Sequence, residues 1–167
     1  MNKKRILFVC MGNICRSPAA EAVVKKMVEK EKLLHVIDVD SAGTIDYHSG
    51  EPADARMILS AKKRGYTIDS ISRQFDMNKD FERFDYIITM DEENYEDIKS
   101  MDIDNKYQHK LYKIVSFCES CKGNEIPDPY YNGTEGFDLV LDLLEEASTL
   151  LLKQIKDDLH KENQNKN

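Results

Sequence analysis

A parallel α/β sheet covered by helices on both faces is the fold this chain predicts, on three observations. Four short apolar runs lack a helical period, helical patterns separate them, and a single apolar stripe runs along the last third of the chain. Strands that alternate with helices pair in parallel, because each crossover helix returns the chain to the same edge of the sheet.

Residues 5–10 (RILFVC) form the first run and enter a turn at Met11, Gly12 and Asn13, so they read as a buried strand. Ser17 as N-cap and Pro18 at the first helical position signal a helix, in which Ala19, Ala22, Val23 and Met27 recur at helical spacing up to Lys30. Residues 36–42 read as a second strand, and residues 52–64 as a helix stopped by Gly65. Residues 86–90 (YIITM) are the third strand, followed by a helix from Asp91 or Glu92 to about Lys99, and residues 111–115 are the fourth strand. Phe137, Val140, Leu141, Leu144, Ala147, Leu151, Ile155 and Leu159 mark one face of a long C-terminal helix. No repeat and no Pro/Gly/Ser-rich linker divides the chain, so residues 1–160 are expected as a single domain and the polar tail 161–167 as frayed. Two long loops, 43–51 and 116–135, follow strands, which is where ligands bind in sheets of this kind.

Composition narrows the function. A chain of 167 residues buries enough surface to hold a core without a disulfide or metal. A formal charge of −7 argues against a general nucleic-acid binder or a protein of anionic membranes, both of which need clustered Lys and Arg. The apolar run at residues 6–10 is too short for a signal segment or a span, so a cytoplasmic location is expected, with the four cysteines as free thiols.

The loop after the first strand carries the chemistry. It reads Cys10-Met11-Gly12-Asn13-Ile14-Cys15-Arg16-Ser17-Pro18, a cysteine and an arginine separated by five residues. That spacing alone discriminates poorly, and its context decides. A strand delivers the cysteine, Gly12 and Asn13 permit a left-handed turn, and a helix begins at once. The backbone N–H groups from Met11 to Cys15 can then point at a tetrahedral oxyanion, with positive potential added by the helix N-terminus. The same field favours the thiolate form of a cysteine. Arg16 can hold two phosphoryl oxygens through its planar fork, Ser17 can donate to the sulfur, and Asn13 can hold the loop in shape.

A thiolate in a phosphate cradle implies attack on phosphorus and a phosphocysteine intermediate, and it requires an acid for the leaving group. Asp128, in Asp128-Pro129-Tyr130-Tyr131, is the candidate, because its loop opens at the same edge of the sheet and Pro129 stiffens its backbone. Tyr47, Tyr130 and Tyr131 are loop aromatics able to flank a phenyl ring.

These residues resemble the low-molecular-weight protein tyrosine phosphatases. The resemblance runs through ILFVCMGNICRSPAAEAV, SAGT, SRQF, DYIITMDEEN and PDPYY, nearly the length of the chain. It implies a three-layer sandwich with a four-stranded parallel sheet and metal-free, cofactor-free hydrolysis of phosphotyrosine and aryl phosphates. Protein substrates bearing phosphotyrosine would be the partners, inorganic phosphate a product or inhibitor, and the protein a monomer. Position by position, Cys10 is the expected nucleophile, Arg16 the phosphate-binding residue and Asp128 the general acid and base. Asn13 and Ser17 match loop-ordering and thiolate-supporting residues, and Tyr47 faces Tyr130 and Tyr131 across the substrate ring. The resemblance also implies a reversible Cys10–Cys15 disulfide. One departure is Ser70, where some members carry a histidine that supports the phosphate loop.

Three other readings share the signature loop. Thioredoxin-coupled arsenate reductases place a redox cysteine pair after the third strand, where this chain has Met90-Asp91-Glu92-Glu93-Asn94. Protein arginine phosphatases tend to carry a threonine where this chain has Ile14. A non-catalytic phosphotyrosine-binding module would not need Cys10, Arg16 and Asp128 together. Cys118 and Cys121 form a C-x-x-C pair with no second ligand pair nearby, so zinc is not expected; a tolerated loop feature or a disulfide formed under oxidation remain as alternatives.

Overall fold

The computed structural model describes residues 3–121 and 125–166. Four parallel strands, β1 (Lys4–Cys10), β2 (Ile37–Gly43), β3 (Tyr86–Thr89) and β4 (Leu111–Lys113), form one sheet in the order β2-β1-β3-β4. Among the described residues five α-helices accompany them: α1 (Arg16–Lys30), α2 (Ala55–Lys63), α3 (Asp80–Arg83), α4 (Glu92–Met101) and α5 (Thr134–Asn165). The predicted fold class is therefore the one observed.

Alternation along β1 divides the core. Ile6, Phe8 and Cys10 point into a cluster with Val23 and Val28 of α1, Met57 of α2, and Phe137, Leu141, Leu144 and Leu151 of α5. Leu7 and Val9 point to the opposite face, against Phe75, Phe81, Phe84 and Ile98. A strand buried on both faces reads as an unbroken apolar run, which is why residues 6–10 show no alternation in sequence.

The structure corrects several boundaries. Helix α1 starts at Arg16 with Cys15 as N-cap and no side-chain cap, so Ser17 lies inside the first turn and its hydroxyl serves another purpose. Pro52 is paired with Ile71 in an isolated bridge, and α2 starts later, capped by the Asp54 carboxylate on the Arg56 N–H. Strand β4 stops at Lys113, where its ladder with the four-residue β3 runs out, and a 3-10 turn covers Ile114–Phe117. Helix α3 and the 3-10 turn Gln108–Lys110 had no signal in the sequence reading. The tail expected to fray stays helical through Asn165, supported by an ion pair between Glu162 and Lys4 of β1 and by Gln164 on His160 one turn back.

The cysteines also differ from expectation. Cys118 and Cys121 are bridged, while Cys10 and Cys15 are free and buried. The bend after the 3-10 turn brings the two Cα atoms to 5.5 Å, within reach of a disulfide. Glu146 of α5 holds that bend by accepting from the Ser120 N–H at 3.1 Å.

Candidate active site

Cys10 ends β1, next in the sheet to β2 on one side and β3 on the other, where the connections leave in opposite directions. A crevice opens at such a point beyond the carboxyl ends of the strands. Here it is a cavity of about 340 Å³ lined by Cys10, Met11, Gly12, Ile14, Cys15 and Arg16 of the loop after β1. Ile45, Tyr47 and His48 come to it from the loop after β2, and Asp128, Tyr130 and Tyr131 from the loop after β4.

Two of the expected site residues, Asn13 and Ser17, do not line this cavity but stand behind the loop and hold it. Asn13 adopts a left-handed conformation (φ 57°) and is buried. Its Nδ2 donates to Ser17 Oγ at 2.7 Å and to Ser41 Oγ at 3.0 Å, while its Oδ1 accepts from the Arg73 N–H at 3.0 Å. Ser41 in turn donates to Glu21 at 2.6 Å. Ser17 Oγ, already accepting from Asn13, has one proton to give; Cys10 Sγ lies 3.0 Å away and the Ala42 carbonyl 3.4 Å away. The hydroxyl that sequence rules assign to a helix cap is thereby aimed at the sulfur.

The end of β2 lies under the cradle. A Cβ at Gly43 would meet the Met11 carbonyl at 2.6 Å and the Asn13 N at 3.1 Å, so the loop can sit there only over a glycine. Two residues after Ser70, Ser72 supports the loop by donating its hydroxyl to the Gly12 carbonyl at 2.9 Å.

Arg16 is 3% exposed. Its Nη1 donates to Asp91 Oδ2 at 2.5 Å and to the Ile126 carbonyl at 3.1 Å, and its Nη2 is 3.6 Å from Asp128 Oδ2. Burial works against its charge, but Cys10, Asp91 and Asp128 outweigh that effect and raise the guanidinium above its ordinary pKa. Cys15 is pushed the other way in reactivity. Burial, then the charges of Asp54, Cys10 and Asp128, raise its thiol well above the usual range and keep it protonated. The phenolic walls are open, with Tyr47 79% and Tyr131 92% exposed, and Tyr130 packs edge-on against Tyr131. Asp91, Ser41, Ser72, Arg73 and His48 were not singled out from sequence. Ser41, Ser72, Arg73 and Asp91 all fall within the stretches that carry the family resemblance, and Asp91 was expected only as a possible first residue of a helix.

A sulfur at a strand end, a helix start facing it and a buried guanidinium beside a carboxylic acid define a phosphate-ester site of the cysteine type. The model of the family described as "Low molecular weight phosphotyrosine protein phosphatase" matches residues 5–162. A Synechocystis protein assigned to the low molecular weight protein-tyrosine-phosphatases is 45% identical over 155 residues, covering 93% of this chain and 98% of that one. A crystal structure of the protein tyrosine phosphatase from Entamoeba histolytica superimposes with a TM-score of 0.89 at 46% identity, covering 93% of this chain and 99% of its own. A drosophila arginine phosphatase superimposes with a TM-score of 0.84 at 32% identity, over 90% of this chain and 97% of its own. The chain belongs to the low molecular weight phosphotyrosine protein phosphatase family, and its enzyme class is that of a hydrolase.

Proposed function

We propose that the protein hydrolyses phosphotyrosine in protein substrates, and small aryl phosphates, with Cys10 as nucleophile, Arg16 as the phosphoryl clamp and Asp128 as the proton carrier. The observation that supports this is the convergence of Cys10, Arg16 and Asp128 on one cavity with three tyrosines at its walls. In the first step the Cys10 thiolate attacks phosphorus, the bond from phosphorus to the phenolic oxygen breaks, and Asp128 gives its proton to that oxygen. Water then attacks the phosphocysteine, Asp128 takes one of its protons, the sulfur–phosphorus bond breaks and phosphate leaves. Arg16 and the N–H groups of the loop carry the charge that builds on the phosphoryl oxygens in both steps.

Substrate choice follows from depth and leaving group. Phosphotyrosine places phosphorus farther from its backbone than phosphoserine does, and phenolate is a far better leaving group than an alkoxide. Ile14 lines the cavity and, with the tyrosines, supports an aryl ester over a phosphoguanidinium. In this reading the enzyme acts as a cytoplasmic monomer without metal, cofactor, nucleic acid or membrane, and inorganic phosphate is both product and competitive inhibitor. Among the described residues no helix is long and apolar enough to cross a membrane.

The test is hydrolysis of p-nitrophenyl phosphate and of matched phosphotyrosine and phosphoarginine peptides by the parent, Cys10→Ser and Asp128→Ala proteins. Cys10→Ser is expected to be inactive, and Asp128→Ala to lose far more activity on poor leaving groups than on good ones. Turnover by Cys10→Ser refutes the mechanism, and faster release from phosphoarginine refutes the substrate.

A further inference from the structure

Arg56 does not line the cavity, yet its contacts join the cradle of Cys10 to the loop of Asp128. At one end, the Asp54 N–H donates to the Ile14 carbonyl at 2.8 Å, which ties the start of α2 to the loop after β1. The Asp54 carboxylate then grips the Arg56 guanidinium with both oxygens, from Nε at 3.0 Å and Nη2 at 2.8 Å. At the other end, Arg56 Cζ lies 5.3 Å from the ring centre of Tyr130 and 4.8 Å from that of Phe137, which is fully buried at the start of α5. The Tyr130 N–H donates to Asp128 Oδ1 at 3.1 Å.

We propose that Arg56 is a positioning residue for the phosphatase reaction: clamped by Asp54 and set over the Phe137 ring, it fixes Tyr130 and through it holds the Asp128 carboxyl over the cradle. The proposal rests on Asp128 being the general acid. Half of the Arg56 side chain is exposed, so its ion pair with Asp54 adds little to stability. What the geometry uses is the shape of the group. A planar fork can take a carboxylate along one edge while its faces meet aromatic rings, and a lysine ammonium can do neither at once. The Asp128 side chain has few other anchors, since it is 40% exposed and its contact with Arg16 Nη2 is a loose 3.6 Å.

A positioning role has a signature that a purely structural one lacks. Proton donation matters most when the leaving group is poor, so a misplaced acid steepens the dependence of rate on leaving group. The experiment measures kcat/KM, which reports the phosphorylation step, on a series of aryl phosphates from p-nitrophenyl to phenyl. The proteins are the parent, Arg56→Ala, Arg56→Lys, Asp128→Ala and the Arg56→Ala/Asp128→Ala double variant, each with its thermal midpoint recorded. Arg56→Ala is expected to lose about 10-fold on phenyl phosphate and under about 2-fold on p-nitrophenyl phosphate, within what a displacement of about 1 Å can cost. Arg56→Lys shows the same steepening, and the double variant is no slower than Asp128→Ala. Should Arg56→Ala fold poorly, the lysine variant carries the comparison. A uniform loss across the series, a parent-like slope, or a double variant slowed by the product of the two single effects overturns the proposal. If Asp128→Ala itself leaves the slope unchanged, the acid assignment falls; a steep Asp128→Ala slope beside a parent-like Arg56→Ala slope removes the role of Arg56 alone.

Discussion

Asp91 is the carboxylate hydrogen-bonded to Arg16, and the cost of disturbing that pair can be worked from the structure. Asp91 meets two donors with two oxygens: Oδ2 accepts from Arg16 Nη1 at 2.5 Å, and Oδ1 accepts from the Asn94 N–H at 2.8 Å as the N-cap of α4. Asp91→Asn keeps the size and a competent cap residue but has one oxygen for those two donors. Whichever way the amide turns, an NH₂ group faces an N–H. Removing one partner of a buried ion pair costs about 3 to 5 kcal/mol when nothing replaces it. Here the Ile126 carbonyl at 3.1 Å and Asp128 at 3.6 Å stay with Arg16, so we expect about 2 to 3 kcal/mol. For a chain of this size that is a fall of about 5 to 10 °C in thermal midpoint. A bound phosphate dianion restores the missing negative charge beside Arg16. Inorganic phosphate should therefore raise the midpoint of the variant by more than it raises that of the parent. Calorimetry in phosphate-free buffer, followed by a phosphate titration, checks both parts. An unchanged midpoint without phosphate, or equal gains with it, would refute the view that Asp91 stands in for substrate charge.

Three further outcomes follow from the same geometry. Asn13→Ala loses the bonds to Ser17, Ser41 and Arg73 and leaves alanine at a φ of 57°. At about 1 kcal/mol for each bond and for the backbone, urea denaturation should show a loss of about 3 to 4 kcal/mol, of which Asn13→Gly recovers only the backbone part. Iodoacetamide at neutral pH should alkylate Cys10 and spare Cys15, whose raised thiol stays protonated; peptide mass mapping with and without phosphate reads this directly, and modified Cys15 would contradict it. Thiol titration of the unfolded protein should find two thiols before reduction and four after it, in keeping with a Cys118–Cys121 bridge beside free Cys10 and Cys15.

What could be read from the sequence was whatever neighbouring residues decide among themselves. The run at residues 6–10, the turn at Gly12 and Asn13, and the stripe from Phe137 to Leu159 each carry their periodicity or turn chemistry locally, and all three lie where expected. Asp128 was singled out in the sequence because the chemistry proposed for Cys10 needs an acid and Asp-Pro stiffens one candidate, and the structure places it on the cavity with Cys10 and Arg16. The supports were not legible, since each joins points far apart along the chain. Arg16 and Asp91 are 75 positions apart, and Asn13 and Arg73 are 60 apart. Ser17 shows where a local rule loses. A serine ahead of a proline at a helix start is the usual cap, yet the helix begins two residues earlier than that rule places it and the hydroxyl goes to Cys10 and Asn13. The first turn of α1 is left without a side-chain cap, and its N–H groups stay available to a phosphoryl oxygen. A helix start that breaks the capping rule thus gives up local stability in favour of the proposed phosphate cradle, and Asn13, Ser41 and Glu21 supply the buried hydrogen bonds that hold the loop in place of the cap.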